Sequence, residues 1–257
     1  LTGLVCSIIY CVSSIWPFSF LGKKEIQSST GDGDNLRILI FNVYQHNSEY
    51  EDVIGGLKEA EADIIMLSET DRAWRNKLAV LEESYPHVSS GLREDTYGLI
   101  IFSRLPFLKS TIHHLVRDDV PSIEISLRYN DNEIILWMLH PKPPVPGELL
   151  YAGPKDRELY RAAEYINSVK ASTSIIVGGD LNDVAWSKAT QYFTRSTRLG
   201  DPRKGRGLYP TFPSWWPIKI PIDQIFFSKD IKLIKMDCLE AMGSDHHPLV
   251  VDLELPS

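Results

Sequence analysis

Short apolar runs recur along most of the chain and alternate with polar, glycine-containing stretches. Six of them are seven or eight residues long and rich in Ile, Val and Phe, which is typical of β-strands. They are RILIFNV at 37–43, DIIMLSE at 63–69, YGLIIFS at 97–103, EIILWMLH at 133–140, SIIVGGD at 174–180 and PIDQIFFS at 221–228. A final run, HPLVVDLEL, occupies residues 247–255.

Two segments between these runs follow a helical period instead. Their apolar positions recur every three or four residues. They are Val53, Ile54, Leu57 and Ala60 in residues 50–62, and Leu159, Ala162, Ala163 and Ile166 in residues 155–170. Strands that are apolar on both faces, together with alternating strands and a few helices, predict two sheets packed face to face with helices outside. The expected fold class is an α/β sandwich.

The first 22 residues contain no charged side chain and are followed directly by Lys23 and Lys24. About 20 apolar residues are needed to cross a bilayer, so we expect residues 1–22 to form a transmembrane helix or signal anchor. A cleaved signal peptide fits less well because no basic residue precedes the apolar run. Residues 23–35 are polar and rich in Gly, Ser and Asp, which predicts a linker. The remaining residues, 36–257, are expected to form one domain.

Composition narrows the class of protein. Apolar residues make up 43% of the chain, which is enough for a sizeable core and too many for a disordered protein. The net charge of −7 argues against a protein that coats nucleic acid, because such binding depends on Lys and Arg. It is compatible with an enzyme that meets a phosphate through a bound cation.

Polar side chains mark the ends of the predicted strands. Carboxylates of this kind bind Mg²⁺ and orient an attacking water, while imidazole and amide groups stabilise charge on phosphoryl oxygens. One such group alone is more often a helix cap or turn residue, so the prediction depends on the whole set. The set is Asn42, Glu69, His140, Asp180, Asn182, Asp223, Asp245 and His246.

The order of these residues resembles the endonuclease/exonuclease/phosphatase superfamily, which includes DNase I-like nucleases, abasic-site endonucleases, neutral sphingomyelinases and inositol-polyphosphate 5-phosphatases. The resemblance covers about residues 36–255 and implies a DNase I-like, four-layer α/β sandwich of two mixed sheets flanked by helices. The HPKPP run, with the apolar N-terminal segment, is similar to a membrane-attached bacterial branch. This implies association with a bacterial inner membrane, on an undetermined side. The motifs are FNV (41–43), SE (68–69), LHPKPP (139–144), GGDLND (178–183), PIDQIFFS (221–228) and GSDHHPLV (243–250).

The resemblance implies a divalent-metal site. Glu69 matches the family's principal Mg²⁺ ligand, and Asn42 matches the amide that helps to set the metal and phosphate site. Asp245 matches a carboxylate that contacts metal or orients the neighbouring imidazole. The implied cofactor is Mg²⁺, with Mn²⁺ as a possible substitute.

The resemblance also implies five catalytic residues. Asp180 matches the residue that positions or deprotonates the attacking water. Asn182 matches the amide beside the phosphoryl oxygen, where it also binds substrate, and His140 a side chain close to the scissile phosphate. His246 matches the imidazole that binds a non-bridging oxygen, and Asp223 matches the carboxylate of a PxDH element.

One position departs from the family pattern: Gln224 follows Asp223, where His or Tyr is usual. An amide can donate a hydrogen bond but cannot become cationic. A catalytically inactive binding module on the same fold would be marked by loss of Glu69, Asp180 or His246. All three are present, so an active enzyme is expected.

The segment 205–221 precedes Asp223 and contains the pair Trp215 and Trp216. The pair either packs on the core or forms a substrate-facing wall that stacks on a base or enters a lipid interface. Lys142, in the HPKPP run, either carries charge to a phosphate or lies in a rigid turn. We expect all three to contact substrate.

The predicted activity is Mg²⁺-dependent phosphoester hydrolysis by a monomeric catalytic domain. His140 favours a nuclease, whereas the acidic charge and the absence of a long basic run argue against one. The apolar N-terminal segment and the tryptophan pair favour the alternative, a phospholipid or sphingomyelin-type phosphodiesterase. The expected partners are thus nucleic acid or phospholipid, and a membrane through residues 1–22.

Overall fold

The computed structural model describes residues 2–129, 132–143, 153–170 and 172–256. Leu1, Pro144 of the HPKPP run and Ser257 lie outside the described residues. The helices are α1 (Thr2–Ile15), α2 (Tyr50–Glu59), α3 (Arg72–Lys77), α4 (Pro154–Ser168) and α5 (Lys188–Thr197), with 3-10 turns at Trp16–Phe18 and Leu78–Glu83. The strands are β1 (Asn35–Asn42), β2 (Ile64–Ser68), β3 (His87–Gly91), β4 (Leu99–Ser103), β5 (Phe107–His113), β6 (Ser122–Tyr129), β7 (Asn132–Met138), β8 (Ser174–Asp180), β9 (Asp223–Phe227), β10 (Lys232–Cys238) and β11 (Leu249–Glu254).

Two mixed sheets form the centre of the fold. One has the strand order β10-β11-β1-β2-β4-β3 and the other β5-β6-β7-β8-β9. The pairs β1–β2 and β7–β8 are parallel, and the remaining pairs are antiparallel. The predicted α/β sandwich of two packed sheets flanked by helices is confirmed.

The four layers follow from strands that are apolar on both faces. Side chains alternate along a strand, so Ile38 and Ile40 of β1 face the core between the sheets while Leu39 and Phe41 face outward. The outward pair packs under α2 and α3. On the other sheet, α4 and α5 cover the outer face in the same way, and Phe193 of α5 contacts Phe226.

The sheets approach closely where β1 faces β8. Ile40 of β1 lies opposite Gly178, and a Cβ on that glycine would be 2.6 Å from the Ile40 methyl carbon. The missing side chain therefore lets the two strands meet. Both strands end at the same edge of the sandwich, which places Asn42 of one sheet beside Asp180 of the other.

The predicted transmembrane helix is wrong. Helix α1 has 14 residues, and among the described residues no helix is long and apolar enough to cross a membrane. At about 1.5 Å per residue α1 reaches roughly 21 Å, short of the roughly 30 Å hydrocarbon core. The apolar run divides because a 3-10 turn containing Pro17 follows Ile15, and Phe18 is buried. The predicted location in a bacterial inner membrane depended on that helix and is therefore wrong as well.

The segment expected to be a linker packs on the domain. Ile26 is buried, and the backbone of Gln27 and Ser29 bonds that of Leu233 in β10. Glu25 accepts hydrogen bonds from the backbone of Asp201 and from Lys204. These contacts fasten residues 25–29 to two separate parts of the fold.

Gly179 in β8 generates a stability prediction. Its φ is +141°, and a Cβ there would lie 2.0 Å from the carbonyl oxygen of Leu139. Gly179→Ala should therefore lower the free energy of unfolding by about 2 kcal/mol or more, measured by urea denaturation. Gly55→Ala in α2 is the control, because nothing lies within 4 Å of its added methyl. That change should stabilise by about 0.5–1 kcal/mol; equal effects of the two changes would contradict the steric account.

Candidate active site

Strand register brings the predicted residues to one edge of the sandwich. In the parallel pair β1–β2, Asn42 lies opposite Ser68, so Glu69 follows at the same level. In the antiparallel pair β8–β9, Asp180 lies opposite Asp223. The end of one strand and the start of its neighbour thus present carboxylates side by side.

The Asn42 side chain joins the two sheets. Its Nδ2 donates hydrogen bonds to Glu69 Oε1 and to Asp180 Oδ2, each at 3.0 Å. Its Oδ1 accepts the backbone N–H of Tyr44 at 2.9 Å, which fixes the orientation of the amide. The buried amide therefore presents its hydrogens to the two carboxylates.

Glu69 and Asn182 both adopt left-handed backbone conformations, with φ of +61° and +50°. Such conformations cost free energy in residues other than glycine and are concentrated at functional sites. In this conformation Glu69 Oε2 accepts the backbone N–H of Gln45. Asn182 holds the opposite side: its backbone N–H donates to Asp180 Oδ1 at 2.9 Å, and its side chain donates to the carbonyl of Pro141.

His246 and Asp223 form a buried pair. The imidazole Nδ1 lies 2.7 Å from Asp223 Oδ2, and Nε2 lies 3.7 Å from Asp180 Oδ2. Burial opposes protonation of the ring, but the charges of Asp223 and Asp180 outweigh it and raise the pKa of His246 to about 10. The ring is also covered by Phe212, with centroids 4.8 Å apart. At neutral pH this site therefore contains an imidazolium.

Negative charge is crowded at this edge. Burial, with the charge of Asp223 added, raises the pKa of Asp180, although His246 and His140 act against the increase. Burial also raises the pKa of Asp245, which lies near Glu69. Oxygen ligands from carboxylates that are difficult to ionise fit a divalent cation, which would offset their mutual repulsion.

Two groupings of side chains are able to surround an ion. Asp180, Asp223 and His246 offer ligand atoms within 4.8 Å of one another. However, the short Asp223–His246 contact is a hydrogen bond, and a protonated imidazole has no free lone pair for a metal. Glu69 with the neighbouring Asp245 is the better pair, because both offer carboxylate oxygens.

His140 lies on the other side of Asp180. Its Nδ1 is 3.1 Å from the Asp180 carbonyl oxygen, and its Nε2 is 3.2 Å from that of Thr96. Its ring also packs against Tyr97, with centroids 5.7 Å apart. The predicted catalytic residues Asp180, His140, His246, Asn182 and Asp223 thus occupy one contiguous set of contacts, together with Asn42 and Glu69.

Three predicted substrate-contacting residues lie around this set. Lys142 bonds Asp119 at 2.7 Å and lies over the Tyr97 ring, so its ammonium group is held at the rim. Trp215 and Trp216 are 73% and 51% exposed and contact each other edge to face. They are not packed on the core.

The tryptophan loop is fastened to the site. The backbone N–H of Ser214 donates to the Asp245 carbonyl, and its hydroxyl donates to that of Ser244. The backbone of Phe212 pairs with Ile220 at the base of the loop. Asp245, half-buried beside His246, therefore connects the loop to the catalytic set.

Two structural partners were missed from the sequence. Ser244 Oγ donates to the Asn42 carbonyl at 2.7 Å and accepts the backbone N–H of His246 at 3.0 Å. Its place in the GSDHHPLV motif was a usable signal. Arg203 is fully buried and donates to Gln224 Oε1 at 2.7 Å; its sequence context suggests only a positive charge near the tryptophan loop.

Gln224, which stands where the family usually has His or Tyr, is hydrogen-bonded on both sides of its amide. Its Nε2 donates to the Asp183 carbonyl, so the side chain ties β9 to the loop after Asp180. Arg203 is also paired with Asp201 at 2.7 Å and lies between the rings of Phe18 and Phe226. The Gln224 amide thus lies against the buried Arg203–Asp201 ion pair.

The fold is similar to that of several solved structures. A humanized TDP2 of D. rerio has a TM-score of 0.69 and 17% identity, with 85% of this chain and 98% of that chain covered. TDP2 of D. rerio complexed with single strand DNA product has a TM-score of 0.69 and 16% identity, with 86% of this chain and 99% of that chain covered. The human Nocturnin catalytic domain with bound sulfate anion has a TM-score of 0.67 and 16% identity, with 88% of this chain and 99% of that chain covered. At these identities the likeness shows the fold.

Family membership follows from the sequence itself. No curated protein matches the chain, but the sequence model of the Endonuclease/Exonuclease/phosphatase family matches residues 39–246. The matched region is most of the chain and spans every residue of the catalytic set. The chain belongs to the Endonuclease/Exonuclease/phosphatase family.

Proposed function

We propose that this chain is a divalent-metal-dependent phosphodiesterase of the nuclease type, which cleaves a P–O bond by attack of water. The observation that carries the proposal is the junction at Asn42, which holds the carboxylates of Glu69 and Asp180 together. The imidazolium of His246 faces the same Asp180 carboxylate. Anionic and cationic groups therefore meet at one buried point.

Glu69 is the proposed principal ligand of a Mg²⁺ ion, with Asp245 beside it and Asn42 positioning Glu69. Mn²⁺ would suit the same oxygen donors. When bound, the ion would polarise the phosphoryl oxygens and neutralise charge on the substrate. The raised pKa values of Asp180 and Asp245 support this assignment: burial is the main cause of both, and neighbouring carboxylates add to it, so a bound cation would stabilise the ionised forms.

Asp180 is the proposed base for the attacking water. Burial raises its pKa, which makes the carboxylate a better proton acceptor. The backbone N–H of Asn182 and the amide of Asn42 each hold one of its oxygens, so the carboxylate is fixed in orientation. The proton of the water would pass to this carboxylate as the new P–O bond forms.

His246 is the proposed donor to a non-bridging phosphoryl oxygen. Asp223 holds its Nδ1 and keeps the ring charged, which leaves Nε2 directed toward the site. A fixed, desolvated cation at this point would stabilise the charge that develops on the phosphoryl group. Asn182 and His140 are proposed to contact the same group from the other side of Asp180.

Nucleic acid is the proposed substrate class. TDP2 of D. rerio, which shares the fold, was solved with a single strand DNA product. The exposed rings of Trp215 and Trp216 stand on a loop fastened to Asp245 and suit stacking on unpaired bases.

A phospholipid or sphingomyelin-type diester is a second candidate. Ile218, on the same loop, is 73% exposed like Trp215. An exposed apolar loop beside a catalytic site is suited to the apolar part of a lipid substrate.

Removal of catalytic groups tests the activity. Asp180→Asn and His246→Ala in the full chain should each lower kcat on a generic bis-phosphodiester by about 10² to 10⁴. Asp52→Asn, an exposed carboxylate of α2, is the matched control.

Activity should require Mg²⁺ or Mn²⁺ and disappear in EDTA. Glu69→Gln should raise the Mg²⁺ concentration needed for half-maximal activity by about tenfold or more. Full activity in EDTA would exclude the metal-dependent reaction.

Titration of His246 tests the charged pair. By NMR in EDTA, the imidazole should stay protonated until about pH 10. Because a neighbouring anion stabilises the imidazolium, Asp223→Asn should lower the midpoint by about one to three pH units. Asp52→Asn should leave it unchanged. An unaltered midpoint in Asp223→Asn would show that Asp223 does not hold the charge.

The double change Trp215→Ala/Trp216→Ala separates the two substrate classes. If the loop stacks on bases, the double variant should have a KM for a single-stranded oligonucleotide about fivefold to 100-fold above that of the parent. Neither the parent nor the variant should then hydrolyse sphingomyelin in mixed micelles. If the loop serves a lipid, the loss should appear with sphingomyelin instead. Turnover of the generic diester, which is too small to reach the loop, should not change in either case.

A further inference from the structure

A cavity of about 760 Å³ lies beside α5, away from the catalytic set. We call it the α5 groove. One wall is formed by α5 and the loop before it, and the opposite wall by Tyr10, Ser13 and Ser14 of α1. The cationic residues that line it are Lys188, Arg195, Arg198, Lys204 and Lys229.

The positive charge of the α5 groove contrasts with the chain as a whole, whose net charge is −7. The two carboxylates that line the groove are both occupied: Glu25 pairs with Lys204, and Asp201 pairs with Arg203. Arg195 forms no ion pair but donates to the Gln191 side chain. Among the described residues, Lys188, Arg198 and Lys229 have neither an ion pair nor a side-chain hydrogen bond. Three cations are thus left to bind an external anion.

Two of these cations lie at opposite ends of α5. Lys188 begins α5 and Arg198 caps its end in a left-handed conformation, with φ of +61°. The ten residues of α5 extend about 15 Å, which equals about four phosphates of a stacked strand at roughly 3.4 Å each. A polyanion fits this distribution better than a single small anion does.

A short stretch of chain connects the groove to the catalytic residues. Ala185 and Trp186, which line it, lie shortly after Asp180 and Asn182 in the chain. Trp186 is half-buried; its ring contacts Phe18 edge to face at 6.2 Å, and its carbonyl accepts a hydrogen bond from Gln191. A fixed aromatic ring among cations is the combination that binds single-stranded nucleic acid.

We propose that the α5 groove binds a single strand of nucleic acid beyond the phosphodiester that is cleaved. Lys188, Arg198 and Lys229 contact successive phosphates, and Trp186 stacks on a base. This inference rests on the proposed phosphodiesterase function, because only a polymeric substrate would extend from the catalytic site into the groove.

The charge test compares two triple variants of the full chain. The groove variant is Lys188→Gln/Arg198→Gln/Lys229→Gln, and the control is Lys58→Gln/Lys109→Gln/Arg128→Gln, which removes the same charge from exposed positions elsewhere. Binding of a fluorescein-labelled oligodeoxythymidine is followed by anisotropy in EDTA, where turnover does not interfere, over a range of salt concentrations.

The salt dependence gives the expected result. Each phosphate contact contributes about 0.7 to the slope of log K against log salt for a single strand, so the groove variant should lose about 2. The control should keep the slope of the parent. Equal losses in both variants, or no loss in either, would overturn the proposal. An equal loss of affinity for poly-glutamate would overturn its assignment to nucleic acid. If the triple variant does not fold, each single substitution should lower the slope by about 0.7.

Stacking is tested separately at Trp186. Trp186→Ala should weaken oligonucleotide binding about fivefold to 100-fold, and Trp186→Phe should restore most of the affinity. An abasic oligonucleotide should bind the parent and Trp186→Ala equally well. A matching loss with the abasic strand would show that the ring has a structural role and does not stack.

Turnover of the generic diester distinguishes the two proposals. Both triple variants should hydrolyse it at the rate of the parent, because the groove lies outside the catalytic set. If the parent hydrolyses no diester, the proposed function fails, while the salt slopes in EDTA still decide whether the groove binds a strand.

Discussion

The side-chain amide of Asn42 has to reach two carboxylates that belong to different sheets, and this constraint determines how the sandwich is assembled. The bond to Asp180 is possible only if β1 and β8 end at one level and lie close together. Gly178 permits that approach by leaving room for Ile40. Core packing and site geometry therefore depend on the same strand contact.

The buried charged side chains at this contact have two kinds of hydrogen-bond partner. Asp223 is hydrogen-bonded to His246 and holds its imidazolium in place. Glu69 and Asp180 are instead held by N–H donors, and Asp180 also lies 3.7 Å from the His246 ring. A fixed imidazolium beside clustered carboxylates is the arrangement expected where a cation and a phosphate bind together.

Much of this arrangement could be predicted, because strand ends are visible in the sequence. The runs that end at Asn42, Glu69 and Asp180 are apolar on both faces, and such strands occupy the middle of a sandwich. The polar strand β3 and the mixed strand β10 lack such a run, since an edge strand does not need one. The membrane prediction was wrong because hydropathy counts apolar residues but does not show that Phe18 turns back into the core.

Tertiary assembly explains the other omissions. A long basic run is absent from the sequence, yet the fold gathers Lys188, Arg198 and Lys229 along one groove. Likewise, the partner of Gln224 is Arg203, 21 residues earlier in the chain. In both cases the side chains come close together only after folding, so their proximity is not visible in the sequence.

The sandwiched guanidinium of Arg203 has an evolutionary consequence. Its charge is covered by Phe18, which precedes the first strand, and it supports Gln224, which follows Asp223. Asp201 balances that charge, whereas Phe18 and Gln224 complete its surroundings. Substitution at either position changes the environment of a buried ion, so we expect the residues at 18, 203 and 224 to vary together among relatives.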